Sequence, residues 1–266
     1  MNILLTNDDG IFSDGIQKLA KSLRSNEKNK VYIIAPDINR SGISHGLSIF
    51  SGPIKLKEIE DKTWTCSGFP VDCIIAGLNG VLPEKPDIVL SGINKGANLG
   101  TDLVFSGTAA AARQASLKGI PAIALSLAGH GNFFWDIAVS WSVNNLEKLL
   151  SYWKEDSFVN VNIPNNPDGP EGFALAWPAV KHYKDKIAIM NIPDGSHSPD
   201  GNRFCFIVPE GESIVKEAGS DCDVISRNIA SVSPVFNHPV ILRDYCPNAP
   251  AHAAVGSRLG HVEKKE

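Results

Sequence analysis

Two adjacent carboxylates, Asp8 and Asp9, stand directly after the first apolar run of the chain. The run from Asn2 to Thr6 is too short for a helix and predicts a strand that is buried on both faces. Adjacent carboxylates repel each other unless a proton or a cation lies between them. The pair therefore favours a cation-binding site, while a turn with one helix-capping aspartate is the alternative that spacing alone leaves open.

The elements around this pair predict a right-handed βαβ unit. Apolar residues from Ile16 to Leu23 recur on one helical stripe, and Asp14 is predicted to cap this helix through its side-chain oxygen. The run from Val31 to Ala35 predicts the second strand. In an open α/β sheet, ligands bind at the carboxyl ends of the strands, which is where the acidic pair lies.

A second group of polar residues suits the binding of phosphate. The glycine-rich stretch Ser91 to Gly100 follows the strand predicted at Ile88 to Leu90, and Ser106, Gly107 and Thr108 stand before an alanine-rich helix. We predict a loop of about fifteen residues after that strand, a length that is usually functional or disordered. Backbone N–H groups and hydroxyls at the helix start would bind an anion, although an ordinary Ser/Thr cap is the alternative. The spacing matches neither the dinucleotide-binding nor the P-loop motif.

The loops after neighbouring strands would bring Asp8, Asp9, Ser41 and Asn94 into one crevice. All four residues offer oxygen ligands, which suit Mg²⁺ or Mn²⁺ better than zinc or copper. An ion between the carboxylates would relieve their repulsion, polarise a phosphoryl oxygen and lower the pKa of a bound water. Residues 106–108 would hold the phosphate against this ion. The two groups of residues together predict metal-assisted hydrolysis of a phosphate monoester.

The remaining pattern predicts an α/β fold: a Rossmann-like, doubly wound, mostly parallel sheet with a C-terminal hairpin-rich oligomerisation appendage. Residues 1–165 would form the catalytic domain. Residues 166–266 would contribute to oligomerisation and return in part to the main sheet, with a tail from Pro247 that is loose unless a partner orders it. The predicted elements are edge strands within Ile49 to Thr65, a helix over Pro70 to Leu78, a strand over Pro121 to Leu127, a helix over Ile137 to Trp153, strands over Phe158 to Ile163, Ile187 to Ile192, Phe204 to Val208 and Ala230 to Phe236, and turns at Asp194-Gly195, Asp200-Gly201 and Glu210-Gly211.

Composition limits the classes of partner. The chain has 266 residues, 43% of them hydrophobic, and a net charge of -4 with both signs scattered. This charge argues against a stable nucleic-acid complex and against a membrane surface. No basic region precedes an apolar run, and no segment approaches the ~18 apolar residues of a membrane span, so we expect a cytoplasmic protein. The five cysteines form no C-x-x-C motif, which argues against a disulfide framework and against structural zinc.

Four motifs together resemble the SurE family of 5'-nucleotidases. The resemblance is dense over residues 1 to about 130 and thin afterwards. Where the family commonly has Ala-Pro-Gly, this chain has Ser13-Asp14-Gly15, which changes the helix start and removes no ligand. The motifs are N-D-D-G at Asn7 to Gly10, N-R-S-G at Asn39 to Gly42, S-G-I-N-K-G-A-N-L-G at Ser91 to Gly100 and F-S-G-T-A-A-A-A at Phe105 to Ala112.

The resemblance implies hydrolysis of nucleoside 5'-monophosphates, with 3'-monophosphates and short polyphosphate as further substrates. It also implies homodimers or homotetramers that exchange C-terminal elements and a projecting hairpin. Asp8 and Asp9 are the expected catalytic residues. We predict attack by metal-bound water, with one of the two aspartates accepting its proton, and direct attack by an aspartate to give an aspartyl phosphate is the alternative. One Mg²⁺ or Mn²⁺ per subunit would be held by Asp8, Asp9, Ser41 and Asn94, and the substrate phosphate by Asn98, Ser106, Gly107 and Thr108.

Two alternatives belong to other functional classes. A signalling receiver domain also has an acidic pair and Mg²⁺ after its first strand, but it needs an aspartate after the third strand and a lysine after the fifth. Here Leu90 is followed by Ser91-Gly92, and no lysine lies between Leu127 and Gly129. A nucleotide-binding protein without turnover would show tight, metal-dependent binding and no phosphate release.

Overall fold

The apolar runs of the sequence form the strands of one mixed sheet with helices on both faces. The computed structural model describes residues 1–190, 204–215, 217–242 and 254–255. The helices are α1 (Asp14–Arg24), α2 (Pro70–Ala76), α3 (Gly107–Ser116), α4 (Trp135–Leu150) and α5 (Asp221–Ser226), with a π-helical turn at Gly77–Val81 and a 3₁₀ helix at Gly100–Val104. The strands are β1 (Asn2–Thr6), β2 (Lys30–Pro36), β3 (Leu56–Glu60), β4 (Thr63–Cys66), β5 (Ile88–Lys95), β6 (Ala122–Ala128), β7 (Ser157–Pro164), β8 (Phe173–Leu175), β9 (Lys181–Ile189), β10 (Cys205–Ile214), β11 (Ala230–Phe236), β12 (Ile241–Leu242) and β13 (Ala254–Val255).

Strand β1 lies at the centre of a doubly wound sheet. In the described part of the chain the strand order is β3-β4-β2-β1-β5-β6-β7-β11-β8. The chain therefore runs from β1 through β2 towards one edge and returns to β5, β6 and β7 on the other side. Leu5 of β1 pairs in parallel with Ile33 and with Leu90. The predicted fold is confirmed, and the switch point between β1 and β5 opens directly beyond Thr6.

Alternate residues of β1 enter two separate cores. Ile3 and Leu5 belong to a cluster that includes buried residues of α1 and α4. Leu4 points to the other face of the sheet and packs with residues of α2 and α3. This alternation follows from the two-residue period of a strand, and it explains why the central strands are continuously apolar. Both cores fix the ends of β1, β2 and β5 relative to one another.

Strand β5 is longer than predicted, so the expectation of a fifteen-residue loop is wrong. The strand continues to Lys95, with an irregular register between Ser91 and Asn94. Gly92 makes this possible because it has a φ of +131°, and a Cβ there would lie 2.3 Å from the carbonyl oxygen of Leu125. Asn94 is therefore a strand residue, next to β6.

The predicted start of α1 is also wrong in detail. Asp14 is the first helical residue and Ser13 occupies the cap position, with no side-chain bond to the helix backbone. The hydroxyl of Ser13 instead accepts a hydrogen bond from Nδ2 of Asn7 at 2.7 Å, so it ties the helix to the acidic loop. Helix α4 ends at Leu150, before Trp153, whose indole N–H donates to the hydroxyl of Ser116.

The C-terminal region combines a hairpin with strands of the main sheet. Strand β11 pairs antiparallel with β7, which confirms the predicted return, and β8 pairs with β11. Strands β9 and β10 form a separate antiparallel hairpin. The turn predicted at Glu210-Gly211 is wrong, because both residues lie inside β10 at a bulge after Pro209. The turns at 194–195 and 200–201, and the tail from Pro247 apart from Ala254–Val255, lie outside the described residues.

Two predicted strands have other bounds in the structure: the strand expected at Ile187 to Ile192 is β9, which begins at Lys181, and the strand expected at Phe204 to Val208 is β10, which continues to Ile214. The remaining predicted elements agree with the structure. Strands β3 and β4 form one edge of the sheet, and α2 falls within the helix predicted at 70–78. Within the described ranges, no helix combines the length and apolar character that a membrane span needs. A division of the chain at residue 165 stays a prediction.

Candidate active site

Asp8 lies against the start of helix α3. Its Oδ1 accepts a hydrogen bond from the Thr108 hydroxyl at 2.5 Å, and its Oδ2 accepts one from the Thr108 backbone N–H at 3.2 Å. Burial raises the pKa of Asp8, and the Thr108 hydroxyl opposes that shift. A Cβ at Gly107 would lie 2.9 Å from Cβ of Asp8. The glycine therefore allows the carboxylate to approach the positive end of the helix.

Ser106 occupies the N-cap position of α3. Its Oγ accepts a hydrogen bond from the backbone N–H of Ala109 at 3.0 Å, so the ordinary capping role does occur here. Its hydroxyl hydrogen stays available as a donor because capping uses only the oxygen lone pair. The cap thus leaves room for a second role toward a phosphate, and the predicted contacts of residues 106–108 with substrate stay predictions.

Asp9 is bound to the end of β5. Its Oδ2 accepts a hydrogen bond from the backbone N–H of Lys95 at 2.9 Å. Burial raises the pKa of Asp9 to about 6, and the charge of Asp8 adds to the shift, whereas Lys95 lowers it. Among the described residues, neither aspartate forms an ion pair with a lysine, arginine or histidine. The two carboxylates therefore concentrate negative charge at the switch point.

The segments that carry Ser41 and Asn94 flank the acidic pair from the two strands next to β1. The backbone N–H of Arg40 donates to the carbonyl oxygen of Asp8 at 2.7 Å, which places the loop after β2 beside the acidic pair. Ser41 follows in that loop and is exposed. Asn94 precedes Lys95, and its Nδ2 donates to the carbonyl of Gly96, which leaves its side-chain oxygen as an acceptor. The segments that carry all four predicted metal ligands thus meet around Asp8 and Asp9.

Asn98 is held by a buried polar network that the sequence did not reveal. Its Nδ2 donates to the hydroxyl of Ser126 at 2.8 Å, and its backbone N–H donates to Oδ1 of Asn162. The amides of Asn160 and Asn162 both donate to its carbonyl oxygen. The available signal was the alternation of asparagine with apolar residues in β7, which places both amides on one face of a buried strand. These side chains fix the backbone at the predicted phosphate-binding residue.

The donor set suits a hard divalent cation. In the part of the chain that the structure describes, no three His, Cys, Asp or Glu side chains form a metal-binding group. The acidic pair would therefore share an ion with neutral oxygens, as Ser41 and Asn94 provide. Carboxylate, hydroxyl and amide oxygens together match the preferences of Mg²⁺ and Mn²⁺. A cation here would also remove the repulsion that contributes to the raised pKa of Asp9.

Comparison with known proteins identifies the family. The family model described as survival protein SurE matches residues 3–185. The chain belongs to the SurE family. The predicted family is therefore confirmed, and the similarity extends well beyond residue 130, where the motifs become sparse.

Relatives of this SurE-family chain match most of its length. The 5'-nucleotidase SurE of Pelobacter propionicus is 38% identical over 240 residues, which cover 88% of this chain and 93% of the relative. That of Synechococcus elongatus is 38% identical over 248 residues, with the same coverage. The crystal structure of the SurE protein from Aquifex aeolicus superposes with a TM-score of 0.74 at 34% identity, covering 90% of this chain and 94% of that one.

Proposed function

We propose that this chain is a divalent-metal-dependent 5'-nucleotidase that hydrolyses nucleoside 5'-monophosphates to nucleoside and phosphate. The observation that carries the proposal is the contact between Asp8 and Thr108, which joins the acidic pair to the start of α3. An acidic pair beside a helix N-terminus can hold a cation and a phosphate next to each other. The shared name of the relatives, 5'-nucleotidase SurE, supports the substrate class.

Asp8, Asp9, Ser41 and Asn94 would hold one Mg²⁺ or Mn²⁺ per subunit. The bound ion would supply Lewis acidity toward a phosphoryl oxygen and toward water. The two carboxylates differ in the hydrogen bonds that they accept. Both oxygens of Asp8 accept from Thr108, whereas Asp9 accepts only from the backbone N–H of Lys95 in the described contacts. Asp9 is therefore the better placed of the two to accept a proton.

The chain's own residues would then bind the phosphate and move the proton. Asn98, Ser106, Gly107 and Thr108 would hold the phosphate oxygens, and the dipole of α3 would stabilise their charge in the transition state. For Thr108 this requires that Asp8 turn to the cation, because both donors of Thr108 are bound to Asp8 in the structure. Asp9, whose carboxylate accepts only from the backbone of Lys95 in the described contacts, would accept the proton of the attacking water. Direct attack by an aspartate would instead leave a phosphoenzyme, which trapping during hydrolysis in ¹⁸O-water would detect.

The test is phosphate release from 5'-nucleotides, 3'-nucleotides and short polyphosphate, with Mg²⁺, with Mn²⁺ and with a chelator. We expect release only with a metal, and a loss of about 10²- to 10⁴-fold in Asp9→Ala. Asp168→Ala, at an exposed aspartate after β7, is the matched control and should leave activity unchanged. Folded protein that releases no phosphate with either metal would contradict the proposal and favour nucleotide binding without turnover.

Membership in the SurE family argues against the receiver-domain alternative. We also propose a cytoplasmic location and a homodimer or homotetramer built through the β9–β10 hairpin, which exposes apolar side chains such as Ile207 and Phe206.

A further inference from the structure

A cleft of about 640 Å³ opens beside Asp9. We propose that it binds the nucleobase of the substrate, an inference that rests on the proposed function. The cleft lies between the loop after β1, the loop after β2, the end of β5 and the start of α4. Its volume is within the range of about 300–1,000 Å³ that small-molecule sites have. The residues that matter here are Asp9, Phe12, Asn39, Lys95, Phe133 and Trp135.

Phe12 provides the stacking surface. It follows the N-D-D-G motif closely, lines the cleft and is 72% exposed. The other aromatic rings of the cleft, Phe133 and Trp135, stack on each other with centroids 5.4 Å apart and are partly buried. Phe12 is thus the ring in this cleft with the greatest free area. Every nucleobase has a π-face that can stack on such a ring.

Lys95 provides a polar anchor in the same cleft. Its Nζ lies 5.4 Å from the ring centroid of Phe133, within the range of a cation–π interaction. Among the described residues its ammonium forms no salt bridge, so its N–H donors are available to a ligand. Nucleobases carry carbonyl oxygens and ring nitrogens that accept hydrogen bonds. Phe133 would therefore hold the lysine where it can donate to the edge of a stacked base.

The position of Asp9 connects this cleft to the reaction. Asp9 borders the cleft and is bound to the backbone of Lys95, while Asp8 beside it contacts the start of α3. A nucleotide with its phosphate at α3 would pass the acidic pair and place its base against Phe12. A site made of the Phe12 ring and the flexible ammonium of Lys95 predicts that phosphate esters with a nucleobase are preferred over esters without one. It also predicts only modest selectivity among the different nucleobases.

The experiment compares AMP with ribose 5-phosphate, which has the same phosphate ester and no base. We expect wild type to favour AMP in kcat/KM. Phe12→Ala should lower kcat/KM for AMP about tenfold, mainly through KM, and leave ribose 5-phosphate unchanged. Lys95→Met should also lower kcat/KM for AMP, by a smaller factor than Phe12→Ala. Phe134→Ala removes a neighbouring aromatic ring that does not line the cleft. This control should leave kcat/KM unchanged for both AMP and ribose 5-phosphate.

Binding of adenosine separates this inference from the proposed function, because adenosine has no phosphate. We expect calorimetry to show about tenfold weaker adenosine binding to Phe12→Ala than to wild type, with Phe134→Ala as control. Phosphate release from AMP together with adenosine binding that is equal in wild type and Phe12→Ala would overturn the nucleobase site alone. Adenosine binding that depends on Phe12, in a protein that releases no phosphate, would overturn the enzymatic proposal alone. A Phe12→Ala variant that loses kcat/KM equally for AMP and for ribose 5-phosphate would also contradict the nucleobase site.

Discussion

Asp9 carries its charge at a cost to the stability of the metal-free fold. Burial raises its pKa from 3.8 to about 6, and the charge of Asp8 contributes. Since the folded pKa lies above the unfolded value, the folded protein holds the proton more tightly, and stability falls as the pH rises from about 4 through 6. We expect Asp9→Asn to stabilise metal-free protein at about pH 8 by on the order of 1 kcal/mol, after allowance for partial exposure.

The measurement is thermal unfolding with a chelator at about pH 8 and about pH 4. The advantage of Asp9→Asn should shrink at about pH 4, because Asp9 of the folded wild type is then protonated and its buried charge is gone. A gain of 1 kcal/mol corresponds to a rise of roughly 2–4 °C in Tm. Added Mg²⁺ or Mn²⁺ should reverse the order by stabilising wild type more. Asp168→Asn is the control, and a gain that is the same at both pH values would contradict this account.

At the residue scale, the sequence predicted side chains whose role follows from chemical type and position after a strand. Asp8 and Asp9 are such residues, since they follow β1 at the edge where the carboxyl ends of parallel strands meet, whereas Asn94 lies within β5. The roles of all three in binding a metal stay predictions. It could not predict that Thr108 would bind Asp8, because that contact joins residues 100 positions apart through the packing of α3. The support of Asn98 by Asn162 was missed for the same reason.

At the scale of elements, Asp221 ties the C-terminal region to the candidate phosphate site. It is buried at the start of α5, and its Oδ2 accepts from the backbone N–H of Gly100 at 2.7 Å. Its Oδ1 accepts from the backbone N–H groups of Ala179 and Cys222. One carboxylate therefore joins α5, the segment before β9 and the 3₁₀ helix that follows Asn98. An amide in its place can offer an oxygen to only one side.

We expect Asp221→Asn to lower the free energy of unfolding by about 1–3 kcal/mol, because a buried N–H group loses its acceptor. The KM for AMP should rise as well, since Gly100 is two residues from Asn98. Chemical denaturation and steady-state kinetics measure the two effects. Asp223→Asn is the matched control on the same helix: it binds Gly219 and Arg227 and does not touch Gly100. Equal KM values for both variants would contradict a positioning role for Asp221.

Element boundaries show where patterns stop being informative. Short runs predicted β1, β2, β7 and β11 within about a residue. In β1 and β2 the run is continuously apolar because both strands are buried in the parallel part of the sheet. In β7 asparagine alternates with apolar residues, and β11 is antiparallel to it. The extension of β5 through Gly92 was not predictable, since glycine-rich sequence usually indicates a loop and only the carbonyl of Leu125 reveals the close approach. The turn predicted at Glu210-Gly211 was wrong for the same reason, because a glycine bulge and a glycine turn have similar sequences.

At the scale of the whole molecule, the hairpin of β9 and β10 is an exposed apolar surface. Ile207 is 72% exposed and lies opposite Ile187, while Phe206 on the other face is 60% exposed. A two-stranded hairpin is marginally stable alone in water, and exposed apolar surface of this kind marks a protein interface. Lys181 at its base donates to Asp102 of the 3₁₀ helix at 2.9 Å, so the hairpin is anchored near the site. A second copy of the chain is the partner that the family resemblance implies.

We expect wild type to be the proposed homodimer or homotetramer and Ile207→Glu to be monomeric, because a charge at this position would have to be desolvated in the interface. Light scattering after size-exclusion chromatography measures the mass directly and distinguishes dimer from tetramer in wild type. Ile49→Glu places the same charge at another exposed isoleucine, 69% exposed and distant in sequence from the hairpin, and should leave the mass unchanged. A monomeric wild type, or a variant that keeps the wild-type mass, would contradict assembly through the hairpin. Monomeric Ile207→Glu that still hydrolyses AMP would show that each subunit holds a complete site, as the contacts of Asp8 and Asp9 within one chain lead us to expect.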